Sequence, residues 1–311
     1  MPADRTSPLR LGTRSSPLAL WQANMVADLL RPILAPRDVE LVLIETQGDQ
    51  DQTRPLAQLG GLGVFTKSIQ DALLDGRADV AVHSLKDLPT QPVPGLRLVA
   101  TPPRGPVGDV LVSTRFNHFD SLPIGARIAT GSTRRRSQIL LRRPDLQMVE
   151  MRGNIATRLR KLHEQELDGM VLAEAGLVRL GYGDQIREVL DPVWMLPAVG
   201  QGAVGLECRS DDLDTQHWLE AVNDPKTWAC ITAERALLYA LGGGCQIPVG
   251  ALTTLRNETL TLRAAVLAGD GQRGIVDTHQ GNWMHPADIG HELAARLFAA
   301  GARELLESRT P

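Results

Sequence analysis

Asp79-Val80-Ala81-Val82-His83-Ser84-Leu85-Lys86-Asp87 is the stretch whose reading decides the fold. Its first half is a short, unbroken apolar run rich in valine, the pattern of a strand covered on both faces rather than one. Its second half turns polar at once. Ser84, Lys86 and Asp87 therefore fall in the loop after a buried strand, where open α/β sheets bind their ligands.

Strand and helix patterns alternate on either side. Toward the N-terminus, residues 9–13 read as a strand. Ser16 caps a helix with Pro17 at its first position and Leu18, Trp21, Met25 and Leu29 as its apolar stripe. A strand is predicted over 39–46, a helix over 65–74, and a further strand over 96–100. The alternation implies a mostly parallel sheet with helices on both faces. Residues 101–108, Thr-Pro-Pro-Arg-Gly-Pro-Val-Gly, form a proline- and glycine-rich seam that reads as a linker or hinge. The pattern then restarts, with strands at 109–113, 127–129, 146–151 and 170–173 and helices at 133–141 and 155–163. A second glycine-rich crossover, 197–205, leads into Leu206-Glu207-Cys208. One seam out and one back predicts two α/β lobes joined by two segments around a cleft.

The last part differs. A helix-like run, 232–241, ends in Gly242-Gly243-Gly244, which delivers Cys245 into a loop. Strands at 249–254, 259–267 and 274–279 precede a helix opened by Pro286, an α+β arrangement. The expected domains are 7–102 with 203–222 (first lobe), 108–197 (arginine-rich second lobe) and 225–311 (smaller C-terminal α+β domain).

The chain has 311 residues, a net charge of −3 and 4% aromatic residues, which argues against a general nucleic-acid binder. Three cysteines without a Cys-x-x-Cys spacing disfavour a disulfide framework and a zinc site, so no metal is expected. No secretory apolar segment and no run of 18 apolar residues is visible, so a cytoplasmic protein without a membrane span is the expectation.

The strand-end loops carry Arg14 and Ser16, then Ser84, Lys86 and Asp87, then Thr130, Ser132, Arg134 and Arg135, then Arg152 and Arg158. Arg179 and Gln201 follow in later loops. Seven cations at strand or helix ends read as a polyanion site, because guanidinium forks match carboxylate or phosphate oxygens in pairs. Asp87 is the one carboxylate among them. It serves either as an ion-pair partner or as the group that holds a cationic or N–H-bearing reaction centre. His83 reads as a packing histidine, and Cys208 and Cys230 as structural. Gly60-Gly61-Leu62-Gly63 reads as a lid or a weak anion cradle, since it lacks the P-loop Gly-Lys-Ser/Thr. Cys245 is either a small buried residue or a reactive one. From the residues alone, a hinged binder of an anionic solute and a Cys245 hydrolase both stay open.

Thr13-Arg14-Ser15-Ser16-Pro17-Leu18-Ala19-Leu20, Val82-His83-Ser84-Leu85-Lys86-Asp87-Leu88-Pro89-Thr90, Arg152-Gly153-Asn154, Pro197-Ala198-Val199-Gly200-Gln201-Gly202-Ala203 and Gly243-Gly244-Cys245-Gln246, taken in order, resemble the porphobilinogen deaminase (hydroxymethylbilane synthase) family. The resemblance runs from about Leu9 to the C-terminus. It implies two lobes like those of type II periplasmic binding proteins plus a third domain. It also implies a dipyrromethane cofactor on a thioether to Cys245, and stepwise addition of four porphobilinogen units with loss of ammonia. Hydrolysis then releases hydroxymethylbilane for tetrapyrrole and heme biosynthesis. By resemblance, Asp87 is catalytic. Cys245, Ser84, Lys86, Asp87, Thr130, Ser132, Arg134, Arg135 and Arg152 hold the cofactor. Arg14, Ser16, Arg152, Arg158, Arg179 and Gln201 hold substrate. The expected partners are porphobilinogen and the growing oligopyrrole, with no nucleic acid and no membrane, and the expected state is a monomer. The chain departs from the family pattern at Gln58 and Leu62, where lysines are frequent, over 104–110, where only Arg104 and Asp109 of the charged residues remain, and at Gly242.

Overall fold

The structure, a computed structural model, describes residues 7–50, 63–243 and 247–307. Gln58, Gly60, Gly61, Leu62 and Cys245 lie outside the described residues. The chain divides into two compact units, Met1–Arg104 with Ala203–Trp228, and Gly105–Gly202 with Ala229–Pro311.

The first unit is built on a five-stranded sheet. Its elements are β1 (Leu9–Thr13), α1 (Pro17–Leu34), β2 (Val39–Leu43), α2 (Gln47–Gln50), α3 (Lys67–Leu74), β3 (Val80–Ser84) and β4 (Leu96–Ala100). After the excursion through the other unit come β10 (Val204–Arg209) and α7 (Leu213–Glu220). The order is β2-β1-β3-β10-β4. Burial of β3 on both faces is direct: Val80 and Val82 belong to the core under α1, and Ala81 to the core that holds Ile69 and Leu73 of α3. The sheet is parallel except at β10, which runs antiparallel to both β3 and β4. That strand arrives by a crossover segment, not by a helix packed on the sheet, so the handed strand–helix–strand rule does not fix its direction. The strand predicted over 39–46 ends at Leu43, and the helix predicted from residue 65 starts at Lys67, because Val64–Thr66 form a turn in which Gly63 accepts from Thr66 N at 3.0 Å.

The second unit repeats this plan. It contains β5 (Asp109–Val112), β6 (Arg127–Ala129), α4 (Thr133–Arg142), β7 (Gln147–Val149), α5 (Ile155–Glu164), β8 (Gly169–Ala173), α6 (Glu174–Arg179) and β9 (Ile186–Val189), in sheet order β7-β6-β8-β5-β9. Here β5, the strand that enters from the seam, is the antiparallel one. Alternation again splits the strands between two cores: Leu111, Ile128 and Val171 on one face, Val110, Ala129 and Met170 on the other.

This unit also holds the third sheet, β11 (Val249–Arg256), β12 (Thr259–Leu267) and β13 (Gly274–Asn282), an antiparallel meander. Helices α8 (Pro225–Ala240), α9 (Pro286–Ala299) and α10 (Ala302–Glu307) cover it through Leu237, Leu293, Leu297 and Leu305. The first residues of α8 belong with the first unit. The helix predicted over 232–241 thus starts earlier, at Pro225, since the Asp224 carboxylate caps it by accepting from Thr227 N at 2.7 Å.

The two seams are stitched to each other. Gly202 O accepts from Gly105 N at 3.1 Å, and Gln201 Nε2 donates to Val107 O at 2.8 Å and Gly108 O at 3.1 Å. Gly202 has φ +84°, and a Cβ there would sit 2.6 Å from Pro106 O, so only glycine fits. Among the described residues no helix is long and apolar enough to cross a membrane.

Candidate functional site

In the first unit the site residues follow two neighbouring parallel strands. After β1, Arg14 lies over the Phe65 ring, 4.3 Å from its centroid, and Ser16 Oγ caps α1 by accepting from Ala19 N at 3.3 Å. After β3, Ser84 Oγ donates to Gln22 Oε1 of α1 at 2.9 Å. Leu85–Asp87 then form one 3-10 turn. Leu85 is buried and donates its N–H to Ala203 O at 3.0 Å, and its carbonyl accepts from Leu88 N at 3.1 Å. The turn is thus pinned at both ends, with Lys86 and Asp87 half-buried on it.

His83 points to the other face of β3. Its Nε2 is 3.1 Å from Glu207 Oε2, and Gln70 Nε2 donates to the same carboxylate at 3.0 Å. All three side chains are buried, which fits the reading of His83 as a packing histidine.

In the second unit the loop after β6 carries Thr130, Gly131 and Ser132. Ser132 Oγ caps α4, accepting from Arg135 N at 3.4 Å. The neighbouring loop, after β7, packs against it closely enough that a Cβ on Gly131 would meet Met151 O at 2.8 Å. Arg152 sits there with Nη1 buried and no hydrogen-bond partner among the described residues. Its carbonyl accepts from Lys161 Nζ at 3.1 Å, and Arg158 Nε donates to Gly153 O at 2.7 Å.

Arg134 and Arg135 sit on opposite sides of a wholly buried carboxylate. Asp109 Oδ2 accepts from Arg134 Nη1 at 2.6 Å, and Asp109 Oδ1 from Arg135 Nε at 2.9 Å and Gln201 Nε2 at 3.0 Å. Burial alone would push the Asp109 carboxyl up, but the two guanidiniums hold it down at about 2. Arg179, at the end of α6, donates to Gly202 O at 2.7 Å, and burial lowers its pKa.

The predicted residues therefore gather into two sets. Arg14, Ser16, Ser84, Lys86 and Asp87 share the first unit. Thr130, Ser132, Arg134, Arg135, Arg152, Arg158, Arg179 and Gln201 share the second. Sequence reasoning did not give Asp109, Phe65 or Gln22 a part in either set. The signal for Asp109 was present: two adjacent arginines at the start of a buried helix need a counter-ion, and an acidic residue opens the buried strand after the seam. Among the described residues no group of three or more His, Cys, Asp or Glu side chains is placed to hold a metal. Burial pushes the Cys208 thiol up to about 12, which leaves it an inert packing residue.

Comparison with known proteins bears on the whole chain. Residues 9–217 match the family model described as porphobilinogen deaminase, dipyromethane cofactor binding domain, and residues 228–299 match the model of the porphobilinogen deaminase C-terminal domain. The chain is 48% identical over 299 residues to the porphobilinogen deaminase of Trichlorobacter lovleyi, covering 96% of each protein. It is 46% identical over 299 residues to that of Acidithiobacillus ferrooxidans, covering 96% of this chain and 97% of the relative. Among solved structures, it is similar to a periplasmic substrate-binding protein of Coxiella burnetii, with a TM-score of 0.44 and 15% identity over 71% of this chain and 94% of that one. Matches to both domain models, in order and over nearly the full length, place the chain in the porphobilinogen deaminase family.

Proposed function

We propose that this chain deaminates porphobilinogen, joins four units stepwise to a dipyrromethane held by a thioether on Cys245, and releases hydroxymethylbilane by hydrolysis. The observation that carries the reading is Asp87. Its carboxylate stands on a turn pinned by Leu85, directly after a strand buried on both faces. Loss of ammonia from porphobilinogen leaves an electron-poor methylene carbon next to the pyrrole, and a fixed carboxylate stabilises that developing positive charge. Asp87 would also hold the pyrrole N–H and move the proton that leaves with the amine.

The donor set fits a group bearing several carboxylates. A buried guanidinium nitrogen with no partner among the described residues, as at Arg152, carries an uncompensated cost that an oxyanion removes. Thr130, Ser132, Arg134, Arg135 and Arg152 would hold the cofactor in the second unit, and Ser84, Lys86 and Asp87 in the first. Arg14, Ser16, Arg158, Arg179 and Gln201, together with Arg152, would receive substrate carboxylates. When bound, the dipyrromethane supplies the free pyrrole carbon to which the first substrate joins. We assign the protein to the cytoplasm and to a monomeric state on the same reading.

The test is an intact mass. The active protein should exceed the bare chain by one dipyrromethane, and Cys245→Ser should abolish the increment. An active protein with the bare mass overturns the proposal.

A further inference from the structure

We propose that Asp109 is a positioning residue that competes with bound carboxylates for Arg134 and Arg135, and so keeps the second unit from holding its oligopyrrole too tightly. The inference rests on the function proposed above.

The geometry is unusual for a polyanion site. Two arginines assigned to an anionic ligand already share one protein carboxylate, with contacts of 2.6 Å and 2.8 Å, and all three side chains are buried. The remaining partners hold the trio in place. Leu196 O and Val171 O accept from Arg134 Nη1 and Arg135 Nη1, and Gln201 donates to Asp109 from the stitched seam. The trio carries a net charge of +1 rather than +2. Asp109 stays ionised across the working range, because its carboxyl titrates at about 2. One donor is still unspent: Arg134 Nε is buried without a partner among the described residues.

A catalyst that extends a chain of carboxylate-bearing rings meets a problem that a simple binder does not. Each added ring brings more negative charge, and a site with two unopposed guanidiniums would retain the longest chain most strongly. A built-in carboxylate on those guanidiniums lowers that retention while keeping both side chains aimed. Removing it frees one buried positive charge for the ligand.

The experiment mixes porphobilinogen with the full-length holoprotein and follows the intact masses of the protein species over time, alongside product release. Asp109→Asn should shift the population toward the species with the most added pyrroles and slow release about tenfold, the factor given by ~1.4 kcal/mol of added attraction. Adding Arg134→Gln to Asp109→Asn removes the freed charge and should release the longest species faster than Asp109→Asn alone, while retaining cofactor less well than the parent because Arg134 is one of the groups that would hold it. If the single variant does not fold, the double variant should fold and release its longest species no more slowly than the parent. A folded Asp109→Asn with wild-type masses and release overturns the proposal, as does a double variant that releases more slowly than the single or than the parent. A wild-type protein with no cofactor mass instead overturns the function on which this rests.

Discussion

His83 Nε2 lies 3.1 Å from Glu207 Oε2 across the pairing of β3 with β10, and both side chains are buried. Gln70 of α3 joins the same carboxylate. The contact ties a central strand, its antiparallel neighbour and the helix on one face into one buried polar cluster. Glu207→Ala would leave a histidine and an amide buried without their acceptor, a cost of about 3 kcal/mol. Glu207→Gln keeps the shape and one acceptor and should cost less. Urea unfolding of the two variants checks the order; equal midpoints would refute the cluster's importance.

Asp87 should separate assembly from turnover. Asp87→Asn keeps size and hydrogen bonding but removes the charge. We expect retained cofactor mass with a kcat reduced roughly 100-fold or more, the scale seen when one electrostatic stabiliser is lost. Ammonia release measured beside intact mass reads both quantities. Normal ammonia release in this variant would remove Asp87 from the chemistry.

At Arg152 the ligand-free fold bears the strain. Its Nη1 is buried without a partner among the described residues. Arg152→Leu should therefore melt no lower than the parent when both are prepared without cofactor, while KM rises about tenfold for one lost charge-assisted contact. Calorimetry and steady-state kinetics test the two halves separately.

Acid should weaken the second unit through Asp109. Its folded carboxyl titrates at about 2, below the ordinary 3.8, so the ionised form stabilises the fold. The contribution, of order 2 kcal/mol, is complete above roughly pH 5 and is lost as pH falls from there through the folded value near 2. Unfolding free energies measured between pH 6 and pH 2.5 should decline more steeply for the parent than for Asp109→Asn.

Cys208 should stay unlabelled by thiol reagents at pH 8 until the protein unfolds, since burial raises its thiol to about 12. Mass-resolved alkylation in buffer and in urea gives the comparison.

Much of the architecture was legible because local rules decided it. Ser16 with Pro17, and Pro286, mark helix starts that need no tertiary information, and β12 occupies the predicted 259–267. Strand direction was not legible. Nothing in 204–209 or 109–112 says that these strands run against their neighbours, because direction depends on where the preceding segment enters the sheet. The start of α8 was missed although Asp224 with Pro225 repeats the cap-and-proline signal that opens α1. At the site, residue types pointed to a polyanion. The sharing of Arg134 and Arg135 by Asp109 was hidden, since the partners lie 25 and 26 residues apart in the chain.

The place of β10 has a consequence for synthesis. It lies between β3 and β4, and among the described residues β4 pairs with no other strand. During translation, then, β4 has no neighbour until residues 204–209 have left the ribosome, about a hundred residues after its own emergence. The second sheet spans 109–189 without interruption and can close first. The sheet begun first is therefore closed after the sheet begun second. A nascent chain halted before residue 204 would hold a finished second sheet beside an open edge at β3, the kind of exposed edge that chaperones cover and aggregates extend.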